Sequence, residues 1–207
     1  MTERRMIHIV DDEEAIRRSA SFMLKTSGFD VQTWPSGVAF LKEVRNVEPG
    51  CILLDVRMPQ MDGLEVQQAL SASGVAMPVI VLTGHGDISI AVRAMKAGAV
   101  DFIEKPFEKA KLLEAIEAGF AQLENKAGRA TRTHEALTVI AGLTDRERDV
   151  LDGLAQGLPN KTIAFDLGIS PRTVEVHRAN LMTKLSVRSL SDALRLAFAA
   201  GLGGGDK

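Results

Sequence analysis

Residues 51–63, "CILLDVRMPQMDG", are the most informative segment for the fold of the first part of this chain. Four apolar residues lead directly into Asp55, and the turn-forming residues Pro59, Asp62 and Gly63 follow. A short, continuous apolar run bounded by turn residues is typical of a strand that is buried on both faces. The sequence therefore predicts a buried strand that carries a carboxylate to one edge of a sheet.

Short apolar runs and helical patterns alternate throughout residues 1–124. The predicted strands are 6–10, 31–34, 51–54, 78–82 and 100–103. The predicted helices between and after them cover about 13–27, 36–45, 63–73, 87–97 and 107–124. This alternation predicts an α/β fold: a doubly wound, five-stranded parallel sheet whose crossovers are right-handed.

The pattern changes after residue 124. Residues 125–142 are small and polar and are predicted to form a linker, whereas residues 143–207 contain helical patterns and no strand pattern. The first block, 1–126, holds 14 basic and 18 acidic residues, and the second, 127–207, holds 11 and 9. The second block is therefore the better candidate for binding a polyanion.

Capping residues mark where the helices of the second block begin. Thr144 and Glu147 form a capping box, and Asn160 and Ser170 are predicted N-caps of the next two helices. A last helix is predicted over about 189–200 from its four-residue apolar spacing. These signals predict an all-α, four-helix domain with a helix-turn-helix at its centre.

The composition favours a cytoplasmic protein. The chain has 207 residues, of which 45% are hydrophobic and 25% charged, enough for two small domains with separate cores. Its single cysteine cannot form an internal disulfide. The apolar run near the N-terminus, "MIHIV", is far shorter than the roughly 20 residues that span a bilayer. We therefore expect no membrane attachment and a reducing compartment.

Polar side chains stand where several predicted strands end. Asp11 and Asp12 follow the first strand, Asp55 the third, Thr83 the fourth, and Lys105 the fifth. Ligands of open α/β sheets bind outside the carboxyl ends of the strands, so these groups should share one crevice. Clustered carboxylates repel each other unless a cation joins them, and oxygen ligands suit Mg²⁺. The sequence predicts an Mg²⁺ site at which a carboxylate could accept a phosphoryl group.

Two other functions compete with this interpretation. Phosphatases of the haloacid dehalogenase type also use an aspartate nucleophile at a strand end with Mg²⁺, but they need a second acid two residues later, where this chain has Arg57. A protein-interaction switch without DNA binding is the other alternative. The complete helix-turn-helix pattern disfavours it.

The motifs "VDDEE", "LLDVRMPQMDG", "VLTGHG" and "DFIEKPF" resemble, in order and spacing, the receiver domain of two-component response regulators, which has a flavodoxin-like fold. The resemblance implies that a sensor histidine kinase phosphorylates Asp55 and that the protein is otherwise not an enzyme. It implies a cis bond between Lys105 and Pro106. It also implies Mg²⁺ ligands and a set of switch residues: Asp11, Asp12, Asp55 and the carbonyl of Arg57 for the metal, and Thr83, Lys105, Phe102 and Asp11 for the switch.

The second block resembles the LuxR-type DNA-binding domain of the NarL/FixJ family of regulators over "LTDRERDVLDGLAQGLPNKTIAFDLGISPRTVEVHRANLMTKLSV". The resemblance implies binding to double-stranded promoter DNA, contact with RNA polymerase, and formation of a homodimer on phosphorylation. A pair four residues apart on the fourth helix, Val92 and Lys96, is the predicted dimer face.

Helical spacing separates two faces of the predicted recognition helix. Val174, His177, Leu181 and Leu185 form one stripe, which should pack inward. The remaining residues should contact bases or phosphates, together with residues at the starts of the two central helices. The predicted DNA contacts are Lys161, Arg172, Thr173, Glu175, Val176, Arg178, Ala179, Asn180, Thr183 and Lys184, with Asn160 as a further phosphate candidate.

Overall fold

The structure, a computed structural model, describes residues 5–84, 88–124 and 136–203. The chain divides into two compact units, one formed by residues 1–86 and 97–125, the other by residues 87–96 and 126–207. No helix among the described residues is long and apolar enough to cross a membrane.

The first unit is built on a five-stranded, all-parallel sheet. Its strand order is β2-β1-β3-β4-β5, so the chain leaves β1 for one edge and then returns past it to the other. The strands are β1 Met6–Val10, β2 Asp30–Trp34, β3 Cys51–Asp55, β4 Val79–Thr83 and β5 Asp101–Glu104. The predicted α/β fold is confirmed, and each predicted strand is present within two residues of its observed ends.

Helices follow the strands in the predicted alternation. They are α1 Glu14–Thr26, α2 Gly37–Glu43, α3 Gly63–Ala72, α4 Ile88–Lys96 and α5 Lys109–Glu124. Helix α3 begins with a capping box: the Asp62 carboxylate accepts from the Glu65 backbone N–H, and the Glu65 carboxylate accepts from the Asp62 backbone N–H. This cap fixes where the chain turns after the acid-bearing strand β3.

The central strands β3 and β4 are buried at every residue, as strands covered by helices on both faces should be. One core lies between the sheet and the helices α1 and α5. Its fully buried members include Ile9, Leu53, Leu82 and Ile116. This packing holds the strand ends rigidly and so places the polar residues that follow them.

Cys51 begins β3 and is fully buried, and burial raises the pKa of its thiol to about 12. Because the thiolate is the reactive form, we expect this cysteine to be inert toward thiol reagents in the native protein. Labelling with an aromatic disulfide should be at least about 100-fold slower than in the denatured chain. Rapid stoichiometric labelling of the native protein would contradict this burial.

The second unit contains the four predicted C-terminal helices: α6 Asp145–Ala155, α7 Asn160–Leu167, α8 Pro171–Lys184 and α9 Leu190–Ala199. Ser170 caps α8 by accepting from the Thr173 backbone N–H, and Gly168 ends α7 in the left-handed region with φ of 66°. The prediction that Asn160 caps α7 is wrong. Pro159 occupies the cap position without a side-chain bond, and the Asn160 side chain contacts Arg178 instead.

The end of the predicted linker is ordered. Residues 136–140 are helical, and Ala136 and Ile140 on this segment are buried. The rest of the predicted linker, residues 125–135, lies outside the described residues. The predicted boundaries of the linker and of the helical domain, 125–142 and 143–207, stay predictions.

Candidate functional site

The carboxyl ends of the parallel strands bring the predicted acids together. The carboxylates of Asp11, Asp12 and Asp55 each offer an oxygen, and these oxygens lie within 4.8 Å of one another. Asp11 and Asp55 are buried, whereas Asp12 is exposed. The three predicted acids therefore lie together at one edge of the sheet, and one of them is open to solvent.

Lys105 joins two of the acids. Its Nζ lies 2.7 Å from Asp11 Oδ2 and 2.7 Å from Asp55 Oδ1, and its side chain is only 17% exposed. The peptide bond from Lys105 to Pro106 is cis, as predicted. A backbone bond of 2.8 Å from the Lys105 N–H to the Thr83 carbonyl fixes β5 beside β4 at this point. The ammonium is thus held between the acid pair and the Asp55 carboxylate.

Burial and neighbouring charges shift the pKa values of Asp55 and Lys105 in competing directions. Burial raises the pKa of Asp55, Lys105 lowers it, and Asp11 and Asp12 raise it further, with a net upward shift. Burial lowers the pKa of Lys105, but the bonds to Asp11 and Asp55 outweigh it, so its pKa is raised and it stays an ammonium at neutral pH. One ammonium therefore compensates only part of three nearby carboxylates.

The acid cluster has the donor chemistry for a hard divalent cation, since carboxylate oxygens dominate and no histidine or cysteine belongs to it. Asp11 is already engaged: its Oδ1 accepts the Glu13 backbone N–H at 2.8 Å, and its Oδ2 binds Lys105. Asp12 and Asp55 keep more oxygen lone pairs available. These two residues are the better candidates for direct metal ligands.

The other predicted switch residues belong to the strands and turns of the same sheet. Thr83 is 2% exposed, and its hydroxyl donates to the Gly84 carbonyl at 2.8 Å. Phe102 on β5 is half-buried, and Arg57 is exposed in the turn after β3. Thr83 is the last residue of β4, and β4 pairs with β3, the strand that ends in Asp55.

Gly63 closes the turn that follows Asp55. Its N–H donates to the Val56 carbonyl at 2.9 Å. A Cβ at this position would overlap the carbonyl oxygen of Asp55 and lie 3.0 Å from the Val56 Cα, both backbone atoms. Only glycine fits this close approach, which draws the start of α3 against the end of β3.

The recognition helix α8 has the two predicted faces. Val174 and Leu181 are fully buried and Leu185 nearly so, while His177 is half-buried. Val176, a large apolar side chain, is 54% exposed. Six of the other predicted DNA contacts on α8 are also exposed: Arg172, Glu175, Ala179, Asn180, Thr183 and Lys184.

Three predicted phosphate contacts are tied within the protein. The Arg178 guanidinium donates to Asn160 Oδ1 at 3.0 Å, and Lys184 Nζ lies 2.7 Å from Glu147 Oε2. Thr173 bonds through its hydroxyl to Ser170. The Arg178 and Lys184 side chains thus each link α8 to another helix, and their contacts with DNA phosphates stay a prediction.

The sequence predicts only a capping role for Glu147, but in the structure this residue is also buried and part of an ion pair. It is 3% exposed, and its Oε2 accepts from both Lys184 and the Thr144 backbone N–H. The bond to Lys184, then the bond to the Thr144 backbone, lowers the pKa of Glu147 to about 2. Helical spacing places Glu147 with Val150 and Leu151 on the inward face, a signal that could have revealed the burial of Glu147 but not its partner.

The predicted dimer face is only partly on the surface. Lys96 is exposed, but Val92 is 2% exposed. Val92 lies against Gly157 in the same compact unit, since a Cβ on Gly157 would lie 3.6 Å from the Val92 Cβ. Val92 is therefore not on an outward face here, and a dimer face that includes Val92 and Lys96 stays a prediction.

Comparisons with known proteins cover both units. Residues 7–117 match the response regulator receiver domain, and residues 141–197 match the bacterial regulatory proteins of the luxR family. The transcriptional regulatory protein FixJ of Azorhizobium caulinodans is 48% identical over 206 residues, which cover 100% of this chain and 98% of that protein. FixJ of Rhizobium meliloti is 48% identical over 197 residues, covering 95% and 97%. The crystal structure of full-length FixJ from B. japonicum is 44% identical, covers 97% of this chain and 98% of that one, and has a TM-score of 0.59.

Proposed function

Because this chain belongs to the response regulators that join a receiver domain to a luxR-type regulatory domain, we propose that phosphorylation of Asp55 switches it as a transcriptional regulator. The observation that carries the proposal is the cluster in which Lys105 and two buried acids surround the end of β3. The identity of about half of all residues with two FixJ proteins supports it.

Asp55 is the nucleophile in this proposal. A carboxylate oxygen of Asp55 bonds to phosphorus while the bond from phosphorus to the donor, a phosphohistidine of the sensor kinase, breaks. Lys105, whose ammonium lies 2.7 Å from Asp55 Oδ1, can bind an oxygen of the transferred group. Thr83, at the end of the neighbouring strand β4, is the proposed switch hydroxyl.

Asp12, Asp55 and the Arg57 carbonyl would hold Mg²⁺, with Asp11 beside them. The ion, when bound, supplies positive charge that offsets the repulsion between the acids and the phosphoryl oxygens. Asp11 orients Lys105 through the bond of 2.7 Å to its ammonium. Phe102, half-buried on β5, is the proposed aromatic switch residue that responds with Thr83.

The exposed face of α8 is the proposed surface that contacts the bases of promoter DNA. Arg172 and Glu175 offer charged groups to base edges, and Val176 offers an apolar contact for a thymine methyl. Lys161 and Thr173, near the starts of α7 and α8, are proposed phosphate contacts. We further propose a homodimer on phosphorylation, action in the cytoplasm and contact with RNA polymerase, supported by the family to which the chain belongs.

A gel shift on a pool of random duplexes tests this function. Protein treated with acetyl phosphate and Mg²⁺ should select specific duplexes and bind them at least about tenfold more tightly than untreated protein. Mass spectrometry should place one phosphoryl group on Asp55. Equal selection by both forms, or phosphorylation elsewhere, would contradict the proposal.

Salt dependence separates a lysine that binds DNA phosphate from a structural lysine. Removing one such lysine lowers the slope of log binding constant against log salt by about 0.9 on duplex DNA. We expect Lys161→Ala to show this reduction on a nonspecific duplex, because Lys161 is exposed. Lys184→Ala should keep the parent slope, because its ammonium binds Glu147. Fluorescence anisotropy at several salt concentrations measures both slopes, and a reduced slope for Lys184→Ala would contradict this assignment.

A further inference from the structure

β1 carries a buried histidine that the acid cluster does not use. His8 has no exposed surface, and its ring lies 5.6 Å from the Phe40 ring and 6.2 Å from the Trp34 ring between centroids. Its two nitrogens are both bonded: Nδ1 to Trp34 Nε1 at 3.3 Å, and Nε2 to the Glu48 carbonyl oxygen at 2.8 Å. A histidine bonded on both sides holds three separate parts of the chain together.

These two bonds determine the protonation state of the ring. An indole N–H can only donate, so Nδ1 of His8 must be the acceptor. The Glu48 carbonyl can only accept, so Nε2 must carry the proton. The folded structure therefore requires neutral His8 in a single tautomer, and a proton added at Nδ1 would face the indole N–H.

The partners of His8 stand at the two ends of α2. Trp34 ends β2, two residues before the N-cap Ser36, and Glu48 follows the helix, which runs from Gly37 to Glu43. His8 thereby ties both the entry and the exit of α2 to β1. Phe40, fully buried within α2, packs on the same ring.

Helix α2 in turn packs beside the turn that follows Asp55. A Cβ on Gly37 would overlap the Val66 side chain of α3 and lie 3.5 Å from the Met58 Cε. Met58 is 8% exposed and lies one residue beyond Arg57. A movement of α2 would therefore displace the segment that leads from Asp55 to α3, because the two are in close contact.

The charges around His8 favour the neutral ring. Burial lowers the pKa of His8, and the backbone bond to Glu48 and the Glu48 carboxylate raise it, with a net downward shift. Lys42 and Glu43 on α2 are exposed, and Asp30 begins β2. Asp11 follows the last residue of β1, and Asp55 is the last residue of β3. Since the folded pKa is below the unfolded value near 6.5, the stability that His8 contributes is complete above that value and falls as the pH drops below it.

We propose that His8 is an acid-sensitive anchor of α2. Protonation of His8 breaks the hydrogen bond from the Trp34 indole and loosens the turn that contains Met58 and follows Asp55. The proton comes from solvent and binds Nδ1, and the indole N–H loses its acceptor. The predicted effect on phosphorylation rests on the proposed function, whereas the loosening of α2 and of the turn does not.

The test compares the full-length parent with His8→Gln between about pH 7.5 and pH 5.5. Glutamine can accept from Trp34 and donate to Glu48 but does not titrate, and His8→Phe is a second variant without either bond. Trp34 is the single tryptophan, so its emission reports on the anchor. The methyl NMR signal of Met58 reports on the turn, and phosphoryl uptake from acetyl phosphate with Mg²⁺ is followed in parallel.

In the parent, both the Trp34 and the Met58 signals should titrate together below pH 6.5, and both should be flat in His8→Gln. Phosphoryl uptake should fall about threefold more in the parent than in His8→Gln over this range. Signals that titrate equally in the two proteins, or a Met58 signal that stays constant while Trp34 titrates, would overturn the proposal. Coupled signals in a parent that takes up no phosphoryl group at any pH would support the anchor and contradict the proposed function.

Discussion

Replacing Asp55 with asparagine should abolish phosphorylation while making the metal-free protein more stable. The amide keeps the shape and an acceptor for Lys105 but cannot attack phosphorus, so uptake from acetyl phosphate should fall by more than about 100-fold. Burial and the neighbouring acids raise the pKa of Asp55, so its charged form costs stability at neutral pH. Removing that charge should raise the unfolding temperature by about 2–4 °C without Mg²⁺.

Mass spectrometry and calorimetry on the same preparations measure the two effects. Asp166→Asn is the matched control, because Asp166 is an exposed aspartate on α7, which belongs to the second compact unit. The control should keep the phosphoryl uptake and the unfolding temperature of the parent. Undiminished uptake in Asp55→Asn would show that another residue accepts the phosphoryl group, and a lowered unfolding temperature would contradict the electrostatic argument.

The sheet and the acid cluster could be predicted because local patterns determine them. A strand such as 51–55 is apolar at each residue before its acid, and parallel strands bring their carboxyl ends to one edge whatever their exact order. The proximity of Asp11, Asp12, Asp55 and Lys105 follows from that topology. Capping signals likewise located the starts of α6 and α8 at Thr144 and Ser170.

The partners of long side chains could not be predicted in the same way. Periodicity shows which face Lys184 occupies, but not that its ammonium meets Glu147, 37 residues earlier in the chain. The burial of Val92 depends on residues distant in sequence, so spacing within α4 could not reveal it. In the sequence, His8 is one residue of an otherwise apolar strand. Its two hydrogen bonds depend on how β2 and the segment after α2 pack against β1, which the sequence pattern does not show.

Replacing Gly63 with alanine should impair both stability and phosphorylation, because the added methyl group has no space. Its Cβ would overlap the Asp55 carbonyl oxygen and crowd the Val56 Cα, and backbone atoms cannot rotate away as a side chain can. The strain should cost about 1–3 kcal/mol of unfolding free energy. Relief by moving Asp55 away from Lys105 should slow phosphoryl uptake about tenfold or more, since small displacements of a nucleophile cost rate steeply.

Gly142→Ala separates this effect from the general cost of removing a glycine. A Cβ there would meet only the Val139 carbonyl oxygen, at 3.4 Å, which is an ordinary contact. Urea unfolding and acetyl phosphate kinetics should therefore match the parent in Gly142→Ala and differ from it in Gly63→Ala. Parent-like uptake in a destabilised Gly63→Ala protein would show that the turn tolerates the methyl group by moving α3 and not Asp55, and the close approach of Gly63 would then serve folding alone.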